Sequence, residues 1–307
     1  MTTLILLLLA ADGGVMQPTL QWSSVQLTAA PQAMMSDGGV KVSDRVTFQG
    51  AIELNSNADT FGGLSGLRIR NGQFYAVSDK RGTLFRFTPK FDAKGTLVGV
   101  EPAAEAAHID VGDAEALEFT EDEMWVSNED SMSLSRFRLL DDQIGAIANR
   151  TALPTEGWGL GRNKGFEAVA AKKNCAVIFA EAAGNGFIGK PQELATAAPN
   201  LSSLAWPDGF SPTDVTWAEP GKLAYVVLRK FDGNAYGGLA RITMSDCSPK
   251  NFKLEVLAQW SWPMLTDNSE AIDVQVGPKD TTLFVLSDDN FKSKGPQHTL
   301  LYKFIVR

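Results

Sequence analysis

The sequence predicts an all-β fold, a β-propeller of about five four-stranded blades, and three observations predict it. A motif that opens a short apolar strand occurs five times, at intervals of 46 to 57 residues. A second apolar strand follows each copy of the motif, and a third, alternating strand follows several of them. No segment of useful length has the 3.6-residue apolar period of a helix.

The five motif copies begin the predicted innermost strands of the blades. They are Leu64-Ser65-Gly66-Leu67, Ala114-Glu115-Ala116-Leu117, Phe166-Glu167-Ala168-Val169, Pro212-Thr213-Asp214-Val215 and Ser269-Glu270-Ala271-Ile272. The second strands are predicted at residues 74–78, 124–127, 176–180, 223–228 and 283–287. Their Val, Ile, Phe, Tyr and Trp residues, bounded by turn-forming residues, are typical of strands. Third strands are clearest at residues 84–87, 134–137 and 300–304.

The ends of the chain predict how the ring closes. The last repeat ends at Arg307 with its third strand, whereas residues 46–54 form a strand that belongs to no repeat. Pairing this strand with the last blade would close the ring and remove the exposed edges of an open array. A sixth, degenerate blade within residues 191–209 is the alternative to five.

Acidic residues recur where the first strand of a blade begins and the second strand ends. Because successive strands are antiparallel, both positions lie at the same end of the blade, at one mouth of the central channel. The first position holds Glu115, Glu167 and Glu270 in three repeats, with Ser65 and Thr213-Asp214 in the other two. The second position holds Asp79, Glu129, Glu181, Arg229 and Asp288-Asp289.

This pattern predicts a metal site that takes an anionic substrate. Many carboxylates in a narrow cavity suit Ca²⁺, which takes six to eight oxygen ligands. We predict Glu115, Glu167 and Glu270 as catalytic residues, and the metal ligands as Asp79, Glu129, Glu181, Asp214, Asp288 and Asp289. Basic residues on the same rim predict substrate binding, namely Lys80, Arg81, Arg162, Lys164, Arg229 and Lys230. The competing interpretation is that these acids and bases pair with one another and hold the blades together.

At these positions the chain resembles the phytase-like domain family, "esterase-like activity of phytase". The resemblance rests on Gly63 to Leu67 with Tyr75 to Asp79, Asp113 to Leu117 with Trp125 to Glu129, Asn163 to Val169, Ser269 to Ile272, and Leu286 to Phe291. It covers about residues 46–307 and implies an exported, mostly bacterial propeller whose repeated Glu and Asp act on phosphoesters. The fourth repeat departs from the pattern with Thr213-Asp214.

Composition and the N-terminus predict an exported protein with no membrane span. The chain has 307 residues and a net charge of -8, which disfavours nucleic acid and anionic membranes. Residues 4–11 are an apolar run too short to span a bilayer, and we interpret residues 1–11 as a signal peptide. Residues 12–45 then form a tether and residues 46–307 one domain. We expect a monomer in the periplasm or outside the cell.

Other catalytic chemistries find little support in the sequence. The chain has two His residues, His108 and His298, neither beside a repeat motif, so zinc clusters and His-based general bases are disfavoured. Ser65 lacks the G-x-S-x-G spacing of a hydrolase nucleophile. Cys175 and Cys247 fall in neighbouring blades, on the face opposite the acidic mouth, and we predict a disulfide between them in the exported protein.

The sequence therefore favours an exported phosphoester hydrolase, phytase-like or phosphodiesterase-like, with Ca²⁺ at the acidic mouth. Two alternatives stay open. One is a non-catalytic propeller that binds a small ligand or a protein loop at the same mouth, because one fold hosts many functions. The other is a metal-dependent lactone or sugar-ester hydrolase. Only the two hydrolase interpretations require metal-dependent turnover.

Overall fold

The computed structural model describes residues 18–35, 41–140, 143–160, 165–181, 184–202, 204–291 and 296–307. The signal peptide predicted at residues 1–11 lies outside these ranges. In the described residues, strands alternate with short turns, and the one helix is a 3-10 helix at Pro191–Thr196. That helix is far shorter than a membrane span. The prediction of an all-β propeller is confirmed.

Two strands precede the first repeat, β1 (Ser23–Gln32) and β2 (Val46–Ser56). Blade 1 contains β3 (Leu64–Arg70), β4 (Gln73–Ser78), β5 (Thr83–Phe87) and β8 (Ala103–His108), with an inserted hairpin of β6 (Pro89–Phe91) and β7 (Leu97–Val100). Blade 2 contains β9 (Ala114–Phe119), β10 (Glu123–Asn128), β11 (Ser133–Leu140) and β12 (Gln143–Ala152). Blade 3 contains β13 (Phe166–Lys172), β14 (Cys175–Ala180) and β15 (Gly186–Gly189). Blade 4 contains β16 (Ser211–Glu219), β17 (Leu223–Phe231), β18 (Ala235–Thr243) and β19 (Lys253–Ser261). Blade 5 contains β20 (Asn268–Val276), β21 (Thr281–Asp288) and β22 (Leu300–Val306).

The innermost strands of the blades contact one another in a closed ring, in the order β3, β9, β13, β16, β20 and back to β3. The N-terminal strand β2 completes blade 5 by pairing with β22, from Val46 opposite Val306 to Glu53 opposite Leu300. The predicted closure of the last blade by the N-terminal strand is therefore confirmed. Apolar side chains fill each interface between neighbouring blades, in five separate clusters.

The predicted tether at residues 12–45 is wrong for its central part. Residues 23–32 form β1, which pairs with β2 on one edge and with β8 on the other, and so joins the outer edges of blades 5 and 1. Most of its side chains are exposed and only Leu27 is fully buried. Backbone hydrogen bonds on both edges hold this strand in place, together with a narrow apolar face of Val25, Leu27 and Ala29 that packs on the core.

Blade 3 has three strands, and a side chain covers its outer edge. The Asn200 side chain accepts a hydrogen bond from the Ile188 N–H (2.9 Å) and donates one to the Ile188 carbonyl (2.7 Å), as a neighbouring strand would. Leu201 and Gly186 exchange two backbone hydrogen bonds beside it. Among the described residues between 190 and 210, where a sixth blade was the alternative, there is no strand.

A disulfide joins blades 3 and 4 on the face opposite the predicted acidic mouth. The Sγ atoms of Cys175 and Cys247 lie 2.01 Å apart. Cys175 begins β14, whose other end leads to Glu181, and Cys247 follows the far end of β18. The pairing predicted from the blade positions is therefore present in the structure, and it restrains two neighbouring blades covalently.

Candidate functional site

Every blade has an irregularity in the pairing of its first two strands, close to the start of the first. The residues at these irregularities are Ser65, Glu115, Glu167, Thr213 and Glu270. A β-bulge leaves one residue unpaired and redirects its side chain, and bulges are common beside active sites. The bulges therefore explain how buried strands can turn acidic side chains towards the channel mouth.

The end of each second strand lies beside the start of the first strand of the same blade. Backbone hydrogen bonds join Asp79 to Gly63 (2.7 Å), Glu129 to Asp113 (3.0 Å) and Glu181 to Gly165 (3.4 Å). In blades 4 and 5 the equivalent pairs are Arg229 with Ser211 and Asp288 with Asn268. Of the two neighbouring acids in blade 5, Asp288 is thus the structural equivalent of the others.

These two sets of side chains surround a cavity of about 190 Å³, which we call the acidic cavity. Its described lining residues are Ser65, Asp79, Glu115, Glu129, Glu167, Glu181, Arg229, Asn268, Glu270, Asp288 and Asn290. Seven carboxylates and one guanidinium therefore share a small volume, drawn from all five blades. The structure brings together most of the acids that the sequence predicted at the mouth.

Arg229 is the cation among the described residues that line the acidic cavity. Its guanidinium donates hydrogen bonds to Glu181 Oε1 (2.7 Å), Asn268 Oδ1 (3.0 Å) and Glu270 Oε1, and Glu167 Oε2 lies 3.9 Å away. Burial alone would lower the pKa of Arg229, but the three glutamates outweigh it and raise the pKa. Arg229 therefore stays cationic and fixes one side of the cavity.

Burial raises the pKa values of several acids that line the acidic cavity. It raises the pKa of Glu270 to about 8 and that of Asp288 to about 7. Burial, with repulsion from neighbouring carboxylates, raises the pKa values of Glu115 and Glu167 well above their ordinary value. At neutral pH the cavity thus holds protons that a bound cation would displace.

One group of acids fits a metal ion. Single carboxylate oxygens of Asp113, Glu115 and Glu129 all lie within 4.8 Å of one another. Glu129 Oε1 is buried and has no hydrogen-bond partner among the described residues. An oxygen-only ligand set suits Ca²⁺ or Mg²⁺ rather than Zn²⁺. Sequence reasoning missed Asp113, although its position directly opposite Glu129 in the repeat was a usable signal.

Two predicted metal ligands lie elsewhere. Asp214 is fully buried beneath the acidic cavity, where it binds Arg68, because Thr213 takes the bulge position and shifts Asp214 by one residue. Asp289 is absent from the described lining of the cavity. Its Oδ1 accepts hydrogen bonds from the N–H groups of Gly63 (2.9 Å) and Phe291 (3.0 Å), which fixes the loop after β21.

The predicted substrate-binding cations are spread around the rim rather than gathered in the cavity. Lys80 Nζ lies 3.5 Å from Asp79 Oδ2, and the Arg81 guanidinium lies 5.5 Å from the Phe291 ring centroid. Lys230 Nζ lies 3.5 Å from Asp232 Oδ2. Arg162 and Lys164 lie outside the described residues. Of the described basic residues predicted for this role, Arg229 is the one that lines the acidic cavity.

Beneath the acidic cavity a buried arginine ties all five blades together, and sequence reasoning missed it. Arg68 is 1% exposed and binds both Asp214 oxygens, at 2.7 and 3.0 Å. Its Nε also lies 3.4 Å from Glu118 Oε2. The guanidinium further donates to four backbone carbonyls, those of Leu67, Val169, Val215 and Ile272. The signal was a charged residue directly after the motif in blades 1, 2 and 5, at Arg68, Glu118 and Asp273.

Comparison with known proteins identifies one family. The family model "Phytase-like: Esterase-like activity of phytase" matches residues 59–291. The curated proteins contain no significant match. Similar solved structures include the periplasmic gluconolactonase PpgL of Pseudomonas aeruginosa, at 11% identity over 93% of this chain and 99% of that chain, with a TM-score of 0.39. The PQQ-bound aldose sugar dehydrogenase of Streptomyces coelicolor is 12% identical over 86% of this chain and 100% of that chain, with a TM-score of 0.43. At such values neither structure carries an argument about activity.

Proposed function

The chain belongs to the phytase-like family, and from this premise we propose that it hydrolyses phosphoesters at the acidic cavity with the help of a divalent cation. One observation carries the proposal: seven carboxylates line a cavity of about 190 Å³ around a single described guanidinium. Like charges this close repel strongly in a medium of low dielectric constant. A bound cation would relieve that repulsion and would itself attract an oxygen of a phosphoryl group.

Asp113, Glu115 and Glu129 are the proposed ligands of the cation. Their oxygens lie close together, and the buried, unpartnered Glu129 Oε1 lacks the donor that a structural role would require. Ca²⁺ is the proposed ion because loose, oxygen-rich coordination suits it. When bound, the ion supplies electrostatic stabilisation of phosphoryl oxygens. This assignment moves Glu115 from the predicted catalytic set to the proposed ligand set.

Glu167 and Glu270 remain the proposed proton-transfer residues. Both lie beside Arg229, which binds Glu270 and lies 3.9 Å from Glu167 Oε2. A protonated carboxyl at this point can give its proton to the alcohol that leaves when the ester is cleaved. Arg229 keeps a positive charge beside that event. Export is part of the proposal, and the disulfide between blades 3 and 4 supports it, since such bonds persist in oxidising compartments.

The test combines a melting measurement with a hydrolysis assay. Ca²⁺ at 100 times its Kd should stabilise the parent by about 2.7 kcal/mol, a rise in melting temperature of roughly 5–10 °C. Glu115→Gln should reduce that rise, and Glu167→Gln should abolish hydrolysis of bis(4-nitrophenyl) phosphate. Glu121→Gln, at an exposed position, is the matched control for both measurements.

The same assay separates the alternatives. Turnover that stops with a chelator and returns with Ca²⁺ supports the proposal. Metal-dependent opening of a lactone without phosphoester turnover would support the lactone-hydrolase alternative instead. Absence of calcium binding, together with a Glu167→Gln variant as active as the parent, would leave the acidic cavity with a structural role and overturn the proposal.

A further inference from the structure

A second cavity of about 730 Å³ adjoins the acidic cavity, and Arg229, Asn268 and Asn290 line both. We call it the side cavity. Its volume falls within the range of small-molecule sites, roughly 300–1,000 Å³. The acidic cavity, at about 190 Å³, has little room for more than a phosphoryl group and a cation. The organic part of a substrate must therefore lie elsewhere, and the side cavity is continuous with the place where the phosphoryl group would be held.

The side cavity exists because blade 4 has a longer second strand than the others. Strands β4, β10 and β14 have six residues each, whereas β17 has nine and continues past Arg229 to Phe231. The β17–β18 hairpin, which pairs Phe231 with Ala235, thus forms one wall of the side cavity. Phe231 is 75% exposed. Because Phe231 lines the side cavity, its phenyl ring offers apolar surface to a ligand that enters there.

The chemistry of the walls indicates what the side cavity would accept. Phe231, Ala235 and Pro296 provide apolar surface, and Thr266 and Gln297 provide neutral polar groups. Thr266 Oγ1 is buried without a hydrogen-bond partner among the described residues. This surface suits an uncharged, partly apolar group such as an aromatic ring.

The charges near the side cavity disfavour a substrate with many phosphates. Its described charged lining residues are Arg229, Lys230 and Asp267, and Arg229 already binds glutamates of the acidic cavity. Both Asp267 oxygens accept backbone hydrogen bonds, from Asn268 (2.7 Å) and His298 (2.8 Å). Among the described lining residues, Lys230 is thus the one cation that does not bind glutamates of the acidic cavity, and a polyanion there would lie next to a cavity lined by seven carboxylates. Every further phosphate would add repulsion.

We propose that the side cavity binds the uncharged organic group of an ester with a single phosphate, with Phe231 as its apolar contact, and that polyphosphorylated compounds bind poorly. This inference rests on the proposed function for the position of the phosphoryl group. It goes beyond that function by assigning the substrate class. Aromatic contact in the side cavity supplies the selectivity, and the excess of carboxylates excludes polyanions.

The experiment measures binding of non-hydrolysable probes to the Ca²⁺-saturated full chain by calorimetry. Phenylphosphonate should bind about tenfold more tightly than methylphosphonate, a difference of about 1.4 kcal/mol. Phe231→Ala should reduce this ratio to near one without changing the affinity for methylphosphonate. Val276→Ala, which removes exposed apolar surface at the end of β20 remote from Glu270, should leave the ratio unchanged. Inositol hexakisphosphate should bind more weakly than phenylphosphonate.

Equal affinities for the two phosphonates, an unchanged ratio in Phe231→Ala, or tighter binding of inositol hexakisphosphate would each overturn the inference. Because the probes are not cleaved, the binding result does not depend on turnover. A protein that shows the phenyl preference yet cleaves no phosphoester would refute the proposed function and leave the side cavity as a binding site. A protein that cleaves phosphoesters but does not prefer phenylphosphonate would support the proposed function and refute the role inferred for the side cavity.

Discussion

Replacing Arg68 should cost more stability than replacing any exposed arginine of this chain. Arg68→Met removes the guanidinium that binds Asp214 and four backbone carbonyls at the centre of the ring. Asp214 is 0% exposed, burial raises its pKa to about 7, and without Arg68 it would remain as a buried carboxyl that has lost its main partner. Removing one partner of a buried ion pair lowers the free energy of unfolding by about 3–5 kcal/mol. The weakened carbonyl interactions add to that loss at about 1 kcal/mol or more each.

The total loss is at least about 5 kcal/mol, comparable with the whole stability of many domains. We expect the melting temperature of Arg68→Met to fall by more than about 10 °C, or the variant not to fold. Arg138→Met is the control, because Arg138 is exposed on β11 and its loss should stay within about 0.5 kcal/mol. Arg68→Lys keeps the charge but not the planar set of donors, so its loss should be intermediate and measurable.

A double-mutant cycle isolates the ion pair from the carbonyl contacts. Arg68→Met with Asp214→Asn removes both charges, so the double variant should be more stable than the sum of the single losses predicts, by about 2 kcal/mol or more. Urea unfolding gives the four free energies. An Arg68→Met protein that melts within 2 °C of the parent, or a coupling energy near zero, would refute the role assigned to Arg68.

Three further predictions concern stability. Burial raises the pKa of Glu270 to about 8 and of Asp288 to about 7, above ordinary values near 4, so the folded state favours their protonated forms. Without metal, the free energy of unfolding should therefore fall by a few kcal/mol as the pH rises from 5 to 8. Ca²⁺ should remove this loss. A chelated protein that is equally stable at both pH values would contradict the prediction. Deleting β1 and β2 together should destabilise the whole ring, because β2 completes blade 5. Deleting β1 alone should cause a smaller loss of stability. Equal melting temperatures for both truncations and the parent would exclude this view of closure. Replacing Cys175 and Cys247 by Ser should cost up to about 4 kcal/mol by loop-closure entropy, since 72 residues separate them, and an unchanged urea midpoint would count against it.

The repeats made most of the fold predictable from the sequence. Strands with few apolar residues were harder to predict. An apolar motif repeated at blade intervals fixed the five innermost strands, and the unpaired strand at residues 46–54 implied closure by β2. Strand β1 was missed because most of its side chains are exposed and the apolar residues that alternate towards the core are few, namely Val25, Leu27 and Ala29. Backbone pairing on two edges adds to its stability, and composition does not report that pairing.

The site was predictable to within one residue, and the bulges explain the remaining errors. Equivalent positions in rotated blades meet on the axis, which is why Glu115, Glu167 and Glu270 line one cavity. A bulge shifts the register by one residue, so the side chain of Asp214 is directed into the core instead of the mouth. The buried role of Arg68 was not predicted because arginine is rarely fully buried, and no local pattern predicts its distant partners.

The two layers of charge along the axis differ in how their carboxylates are neutralised. In the lower layer, Asp214 accepts hydrogen bonds from the N–H groups of Val215 (2.8 Å) and Ile272 (3.0 Å) in addition to Arg68. Asp273 and Glu118 there also accept backbone N–H bonds, at 2.6 and 2.8 Å respectively. These acids are satisfied by the fold itself, as structural buried charges are.

In the upper layer, Glu129 Oε1 is buried without a hydrogen-bond partner among the described residues. Both layers contain one arginine among the described residues, and in the upper layer Arg229 contacts Glu167, Glu181 and Glu270. Carboxylate oxygens of Asp113, Glu115 and Glu129 lie within 4.8 Å of one another in blade 2. An external cation at these oxygens would complete the charge balance of the upper layer.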